Sequence, residues 1–572
     1  MEFDEGTRRT LILEQPRSYI PQFMEELENI SLVLHTAANT TTVEIEVAAV
    51  RNYTLNVKLK DNYKLDGVNL ADVVEATITA KNPVFLLEEL RTQIDALDFD
   101  DDYNLRDNLC ANIEFVFGPP GTGKTYTLAK KIIGLMSESG DKKILVLTPT
   151  NKAADVLVKK IMELDDAKAY KDWLLRFGTT KDDDVEKSGV FKDKTFDISA
   201  ARRNVTATTI VRFPYDFFMT GDKRIFLREI HWDYIIIDEA SMIMLAQILL
   251  PLYKKTPRKF IVAGDPFQIP PVTAIDLWKD ENIYTLVGLK SFVAPQTFPH
   301  DYPVECLTTQ YRSVPAVGEI FSRFAYDGIL KHNRAAETQR PLHIDDWLDV
   351  ESLNIIKFPV KKYESIYRSR RLNGTSSYQI YSALFTFEFV KELSRRLEKN
   401  NPDENFSVGI VAPYRAQADV IEKLFAAAEH FERVDVQVGT VHTFQGDECD
   451  ILFAVFNTPP AISASPEMFL NRLNIINVAI SRARDYLFLV MPDDETENVG
   501  NLHLVKKVER FFADENGVEF AAQEIEESMF GQRNYIEENS FATGHQNVNV
   551  YTLPERHYEI RSEDTAVDVQ VN

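Results

Sequence analysis

The chain's 572 residues hold 64 Lys and Arg against 88 Asp and Glu, a formal charge of −24 at pH 7. That length allows several domains with cores of their own, and the acidic balance argues against broad non-specific attraction to nucleic acid while leaving room for a narrow groove. No run of about 18 apolar residues marks a membrane span, and Cys110, Cys306 and Cys449, without paired spacing, exclude a disulfide framework or a Cys-rich zinc module and suit a reducing compartment.

The acidic opening Met1-Glu2-Phe3-Asp4-Glu5 lacks the regions of a signal peptide, so the expected location is cytoplasmic. A helical pattern around Ile20 to Leu34 is followed by alternating strands at Thr42 to Val47 and Tyr53 to Leu59. A helix over Val84 to Leu97 leads to the acidic linker Asp98 to Asp102. From 103 to 300, strands alternate with helices as in a parallel α/β sheet, with strands at Ile113 to Phe117, Lys143 to Leu147, Asp233 to Ile237 and Phe260 to Ala263. A polar stretch over about 165 to 200 reads as an insertion. A second α/β series occupies 301 to 498, with strands at Val408 to Val411, Gln437 to Thr440, Ile451 to Phe456 and Tyr486 to Val490. The region 499 to 572 holds a helix over Leu502 to Asp514 and an acidic tail: from Asp514 onward, 13 acidic residues face Arg533, Arg556 and Arg561.

The most informative stretch is Gly118-Pro119-Pro120-Gly121-Thr122-Gly123-Lys124-Thr125, which fits the phosphate-cradling pattern G-x-x-x-x-G-K-[ST]. It sits between a strand and the helical spacing of Leu128, Ile132, Ile133 and Met136. Glycines let the loop turn backbone N–H groups around phosphate oxygens, and the helix N-terminus adds its dipole. Lys124 can reach the β- and γ-phosphates of a nucleoside triphosphate, and the Thr125 hydroxyl can ligate Mg²⁺.

Asp238-Glu239-Ala240-Ser241 follows a strand, at the end where open parallel sheets bind ligands. Asp238 can hold Mg²⁺, and Glu239 can take the proton of an attacking water. Gln268, in Gly264-Asp265-Pro266-Phe267-Gln268-Ile269-Pro270-Pro271, can hydrogen-bond a γ-phosphate or that water. Gln310-Tyr311-Arg312 and Asn477-Val478-Ala479-Ile480-Ser481-Arg482-Ala483-Arg484 supply arginines where phosphoryl transfer develops negative charge. Between them, Thr440-Val441-His442-Thr443-Phe444-Gln445-Gly446-Asp447-Glu448-Cys449-Asp450 offers hydroxyls for phosphate or sugar. His442 has no metal-binding partner at ligand spacing, and Gln445 and Glu448 are candidates for touching the nucleotide.

These stretches, with Leu147-Thr148-Pro149-Thr150-Asn151 and Val411-Ala412-Pro413-Tyr414, resemble the ordered motif set of superfamily 1 helicases. The Gln-Tyr-Arg and Val-Ala-Ile-Ser-Arg-Ala-Arg forms resemble the branch that contains the nonsense-mediated decay helicase and senataxin. The resemblance covers about 103 to 490. It implies an α/β protein with two tandem RecA-like domains, at 103–300 and 301–498, and ATP bound between them. It further implies an N-terminal small β-barrel and stalk over 1–102, a helical insertion at about 160–228, and a C-terminal tail over 499–572.

Carried onto this sequence, the resemblance implies catalytic roles for Lys124, Glu239, Gln268, Arg312 and Arg482. It implies metal binding by Thr125 and Asp238, adenine packing by Tyr311 and ribose contact by Glu448. Pro149, Thr150, Asn151, Thr208, Thr209, Pro413, Tyr414, Thr440, His442 and Thr443 would line the path of a single strand of DNA or RNA. Movement would run 5′ to 3′. These helicases carry a Gln upstream of the phosphate loop to read adenine, and no Gln lies between Tyr103 and Gly118, which leaves base selectivity open. A clamp that uses ATP without processive unwinding is the competing expectation, with the N-terminal region and the tail as candidate protein-partner surfaces.

Overall fold

In the computed structural model the described residues are 10–14, 30–36, 39–51, 54–59, 72–80, 85–97, 112–271 apart from 181, 281–289, and 302–539 apart from 345–346, 363–364, 373–375, 401–402, 429–430 and 445, with four backbone segments between 541 and 571. The linker expected at 98–102 and the stretch Tyr103 to Leu109, which carries no Gln, lie outside them.

Five antiparallel strands come first: β1 Thr10–Glu14, β2 Ile30–Thr36, β3 Thr40–Arg51, β4 Thr54–Leu59 and β5 Val73–Ala80, in the order β1-β4-β3-β2-β5. Alternation along them buries Leu11, Leu32, Val43, Ile45 and Val57 on one side. Residues 30–34, expected to end a helix, form β2 instead, because Ile30, Leu32 and Leu34 repeat with period two. A β1–β5 ladder that would close the sheet into a barrel is not among the described pairings. The helix Phe85–Asp95 follows, its Leu90 joining the core of the next domain.

The first large sheet is parallel throughout, in the order β15-β6-β14-β13-β7-β10-β8-β9. Its strands are β6 Ile113–Phe117, β7 Lys143–Thr148, β8 Leu174–Phe177, β9 Phe191–Lys192, β10 Asn204–Thr209, β13 Tyr234–Ile237, β14 Lys259–Gly264 and β15 Val304–Cys306, with a hairpin of β11 Phe217–Thr220 and β12 Lys223–Phe226 beside it. Both faces are covered, which is why its strands read as continuous apolar runs. Phe115, Leu145, Leu147, Ile235, Ile237 and Val262 face one core, while Val116, Ile144, Val146, Ile236 and Ile261 face the other.

Two expectations are corrected here. The segment 160–228 is not a helical insertion: after the helix Asn151–Leu164 its only α-helix among the described residues is Asp183–Lys187, and β8 and β10 belong to the sheet itself. The β-branched run Val205-Thr206-Ala207-Thr208-Thr209 fits a buried strand between two neighbours. The division near residue 300 also falls short, since β15 still extends the first sheet.

The second large sheet, also parallel, runs β22-β21-β23-β24-β18-β25. Before it come the short pair β16 Thr309–Gln310 and β17 Lys331–His332; its own strands and a hairpin are β18 Leu353–Phe358, β19 Ser369–Leu372, β20 Ser376–Gln379, β21 Phe406–Val411, β22 Val434–Gly439, β23 Cys449–Val455, β24 Ala483–Pro492 and β25 Val518–Ala521. Because β25 and the helices His503–Asp514 and Ala522–Phe530 complete this lobe, the expected tail does not begin at 499. Apolar side chains from one face of each sheet, such as Val262 and Leu452, belong to one continuous cluster. The lobes therefore share a packed interface.

Gly264 ends β14 where a Cβ would lie 2.6 Å from the Tyr284 hydroxyl and 3.0 Å from the Ala240 backbone nitrogen. Gly264→Ala is expected to destabilise the first lobe by about 1–3 kcal/mol, read as a lower denaturant midpoint; an unchanged midpoint would show that Tyr284 yields freely.

Candidate functional site

The carboxyl ends of β6, β13 and β14 lie side by side, and each delivers one part of the site. After β6 the chain turns through Gly121 (φ 71°) and Gly123 (φ 79°) before the helix Lys124–Ser137. That helix has no side-chain cap, so its first N–H groups remain available to an anion. Crowding explains the glycines: a Cβ on Gly118 would sit 2.8 Å from Lys124 Cβ, and one on Gly121 would sit 2.6 Å from Arg312 Cβ.

After β13, Asp238 is buried and its Oδ1 accepts the Glu239 N–H at 2.8 Å. Glu239 takes the left-handed conformation (φ 50°, ψ 41°), uncommon for a non-glycine residue and a strain that functional turns retain. Lys124 Nζ lies 2.5 Å from Glu239 Oε1 and 3.5 Å from Asp238 Oδ1. Burial alone would lower the Lys124 pKa, but Glu239 and Asp238 outweigh it and hold the ammonium above its ordinary value. Burial raises the Asp238 pKa, and Lys124 only partly offsets it.

After β14, Asp265 accepts the Tyr326 hydroxyl at 2.5 Å and the Phe267 N–H at 3.0 Å. Burial pushes its pKa up to about 6 despite these bonds. Asn477, from the helix Leu473–Ile480, donates to both the Tyr326 hydroxyl (2.8 Å) and the Phe267 carbonyl (3.0 Å). Arg482, just before β24, is buried and donates through Nη2 to Gln268 Oε1 at 2.7 Å. Burial, then repulsion from Arg312, lower its pKa to about 10. The second lobe thus reaches the first through side chains that converge on Gln268 and Asp265.

Arg312 donates through Nε to Glu448 Oε2 at 2.7 Å and through Nη1 to the Ser481 carbonyl at 2.9 Å. Arg484 takes the other Glu448 oxygen, at 3.0 Å from its Nε. Burial would raise the Glu448 pKa, but the two guanidiniums outweigh it and hold the carboxyl below its usual range. Glu448 is therefore committed to two arginines rather than standing free for a ribose. Tyr311 is 56% exposed, and its N–H donates to the Gly121 carbonyl at 2.8 Å, which sets an open aromatic face beside the loop.

The expected strand-path residues divide into two groups. Thr150, His442 and Thr443 are exposed, and Pro149 and Tyr414 are half-buried. Asn151, Thr208, Thr209, Pro413 and Thr440 are buried, so their side chains do not face solvent as expected. Thr208 and Thr209 end β10 beside Leu147 and Thr148 of β7, and both are fully buried. Asn151 Oδ1 is taken by the buried Arg176, whose Nη2 lies 2.9 Å away. Gln445 falls outside the described residues. Asp265, Tyr326, Arg176 and Arg484 went unnoticed in the sequence. Asp265 and Arg484 stand inside the motif stretches Gly264–Pro271 and Asn477–Arg484, whereas nothing local marks Tyr326 or Arg176.

Two family profiles, each described as an AAA domain, match residues 104–274 and 291–493. Among curated relatives, putative helicase mov-10-B.2 of Danio rerio is 26% identical over 66% of this chain and 39% of its own length. DNA polymerase alpha-associated DNA helicase A of Saccharomyces cerevisiae is 24% identical over 69% of this chain and 64% of its own length. Helicase sen1 of Schizosaccharomyces pombe is 28% identical over 46% of this chain and 14% of its own length. The chain thus spans less than two thirds of the length of these relatives. No helix among the described residues is long and apolar enough to cross a membrane.

Asp265 also makes the site pH-sensitive. With a folded pKa of about 6 against an ordinary 3.8, the folded state takes up the proton first. The ionised group therefore weakens the fold above about pH 6, and that penalty fades as pH falls towards 3.8. Asp265→Asn is expected to raise the unfolding free energy at neutral pH by up to ~3 kcal/mol, with the gain vanishing near the ordinary carboxylate pKa. An equal gain at both pH values would show that ionisation is not its source.

Proposed function

We propose that this chain, which belongs with the superfamily 1 helicases of the branch holding the nonsense-mediated decay helicase and senataxin, hydrolyses ATP between its two lobes to move along a single nucleic-acid strand, 5′ to 3′. One observation carries the reading. Lys124, Asp238 and Glu239 meet at the end of the first sheet, and Arg482 of the second lobe reaches Gln268 beside them at 2.7 Å. A catalytic group shared between lobes makes turnover depend on closure, which is what a motor requires.

In this reading the loop Gly118–Thr125 cradles the triphosphate, and its crowded glycines and uncapped helix start fit that group. Thr125 and Asp238 would hold Mg²⁺, which supplies charge neutralisation on the phosphates. Lys124 leaves Glu239 for the β- and γ-phosphates. Glu239, released, accepts the proton of the attacking water. Gln268 orients that water or meets the γ-phosphate, and Arg482 and Arg312 turn towards the charge that develops. Tyr311 stacks on the base, and Glu448 exchanges its arginines for the ribose. Thr150, His442 and Thr443 touch the strand by contacts that read no sequence. We take the first lobe to run from 103 to 306, just past the end of β15, and the second to run on through the helix Tyr535–Asn539. Free Cys306 and Cys449 support a reducing compartment.

ATP turnover is expected to rise with single-stranded DNA or RNA, and duplexes with a 5′ overhang to be opened. Turnover that is stimulated while a bound roadblock is never displaced would favour the clamp. Lys124→Ala should abolish turnover, and Glu239→Gln should keep ATP binding while lowering turnover by about 10²–10⁴-fold. Arg482→Ala should bind ATP yet hydrolyse it at least about 10³-fold more slowly. Robust hydrolysis by either of the first two would refute the site.

A further inference from the structure

Lys152 follows Thr150 and Asn151 in the first turn of the helix Asn151–Leu164, where the resemblance implies a strand path but assigns Lys152 no role. Its ammonium crosses the cleft to the second lobe and lies 2.6 Å and 2.8 Å from the two carboxylate oxygens of Asp447. Asp447 belongs to the segment that carries His442 and Thr443, so the pair joins the two halves of the proposed path. The partners are unequally held. Asp447 is 20% exposed and fixed by Gln437 Nε2 at 3.0 Å and by its own N–H on the Phe444 carbonyl at 3.1 Å. Lys152 is 61% exposed.

An ammonium met by two oxygens of one anionic group is how a backbone phosphate also presents itself. An exposed ion pair contributes only about 0.2–1 kcal/mol, so a phosphate can displace Asp447 at small cost and gain the release of its own counterions. Thr150, two residues before Lys152, and His442 and Thr443, a few residues before Asp447, are exposed. We propose that Lys152 is a strand-phosphate contact and that Asp447 holds the phosphate's place in the strand-free protein; this rests on the nucleic-acid reading above. Strand entry exchanges one anion for another on the same lysine. The exchange opens the cleft-spanning bridge only to a partner that can compete with a fixed carboxylate.

The test measures binding of the full chain to oligothymidylate and oligouridylate of equal length across a salt series. Lys152→Ala is expected to weaken binding by roughly three- to tenfold and to lower the salt slope by about one unit. Asp447→Asn is expected to tighten binding several-fold with Lys152 still contributing, so that Lys152→Ala in that background loses the same salt slope. The opposite signs distinguish the proposal from a brace between lobes. If both single variants weaken binding alike with an unchanged slope, the pair is only a brace and the proposal is wrong. If the wild-type chain hydrolyses ATP but binds neither oligonucleotide, the nucleic-acid reading itself fails, and this proposal with it.

Discussion

A buried ammonium has to be paired, and Lys124 is paired with Glu239 and Asp238. Isolated in the interior the charge would cost several kcal/mol, so the loop between β6 and its helix can hold a lysine only where the sheet presents carboxylates. Strand β13, which lies beyond β14 from β6, presents two. In the proposed cycle the same pairing reserves a place for phosphate. A polyanion entering the loop would offer Lys124 more negative charge than Glu239 does, and its arrival would free Glu239. The carboxylate that neutralises the site at rest would then serve as the base.

The second constraint is the join between lobes. Gln268 with Arg482, and Asp265 with Tyr326 and Asn477, are buried polar contacts within the packed interface between the lobes. Such contacts fix one relative placement of two surfaces better than they add stability. Arg312 and Arg484 share Glu448 at the start of β23. The segment from Thr440 to Glu448 carries the chain from the carboxyl end of β22 to the amino end of β23. One short connection therefore touches the proposed strand path at one end and the arginine cluster at the other. In the proposed cycle, a shift at either end is felt at both.

Much of this was legible from the chain. The phosphate loop, Asp238, Glu239 and the strands beside them are local in sequence, because a parallel sheet exposes the residues that follow each strand at one edge. The misreadings share a cause. Polar residues between 165 and 200 concealed that Leu174–Phe177 extends the sheet, and the threonines of Asn204–Thr209, which serve equally in a loop and in a buried strand, concealed the next strand. Thr208 and Thr209 were expected to meet a strand, yet both are fully buried at the end of β10. Tyr326 and Arg176 act through partners distant in sequence, Asp265 and Asp155. Local pattern carries no trace of such contacts.

The central claim is that phosphate takes Lys124 from Glu239 and that the second lobe's arginines complete the site. A structure with Mg²⁺ and a non-hydrolysable ATP analogue tests this most directly. The account predicts Lys124 on the phosphates, Glu239 free of it, and Arg482 and Arg312 turned from Gln268 and Glu448 towards the terminal phosphate. An analogue bound while Lys124 stays on Glu239 and both arginines keep their present partners would contradict it.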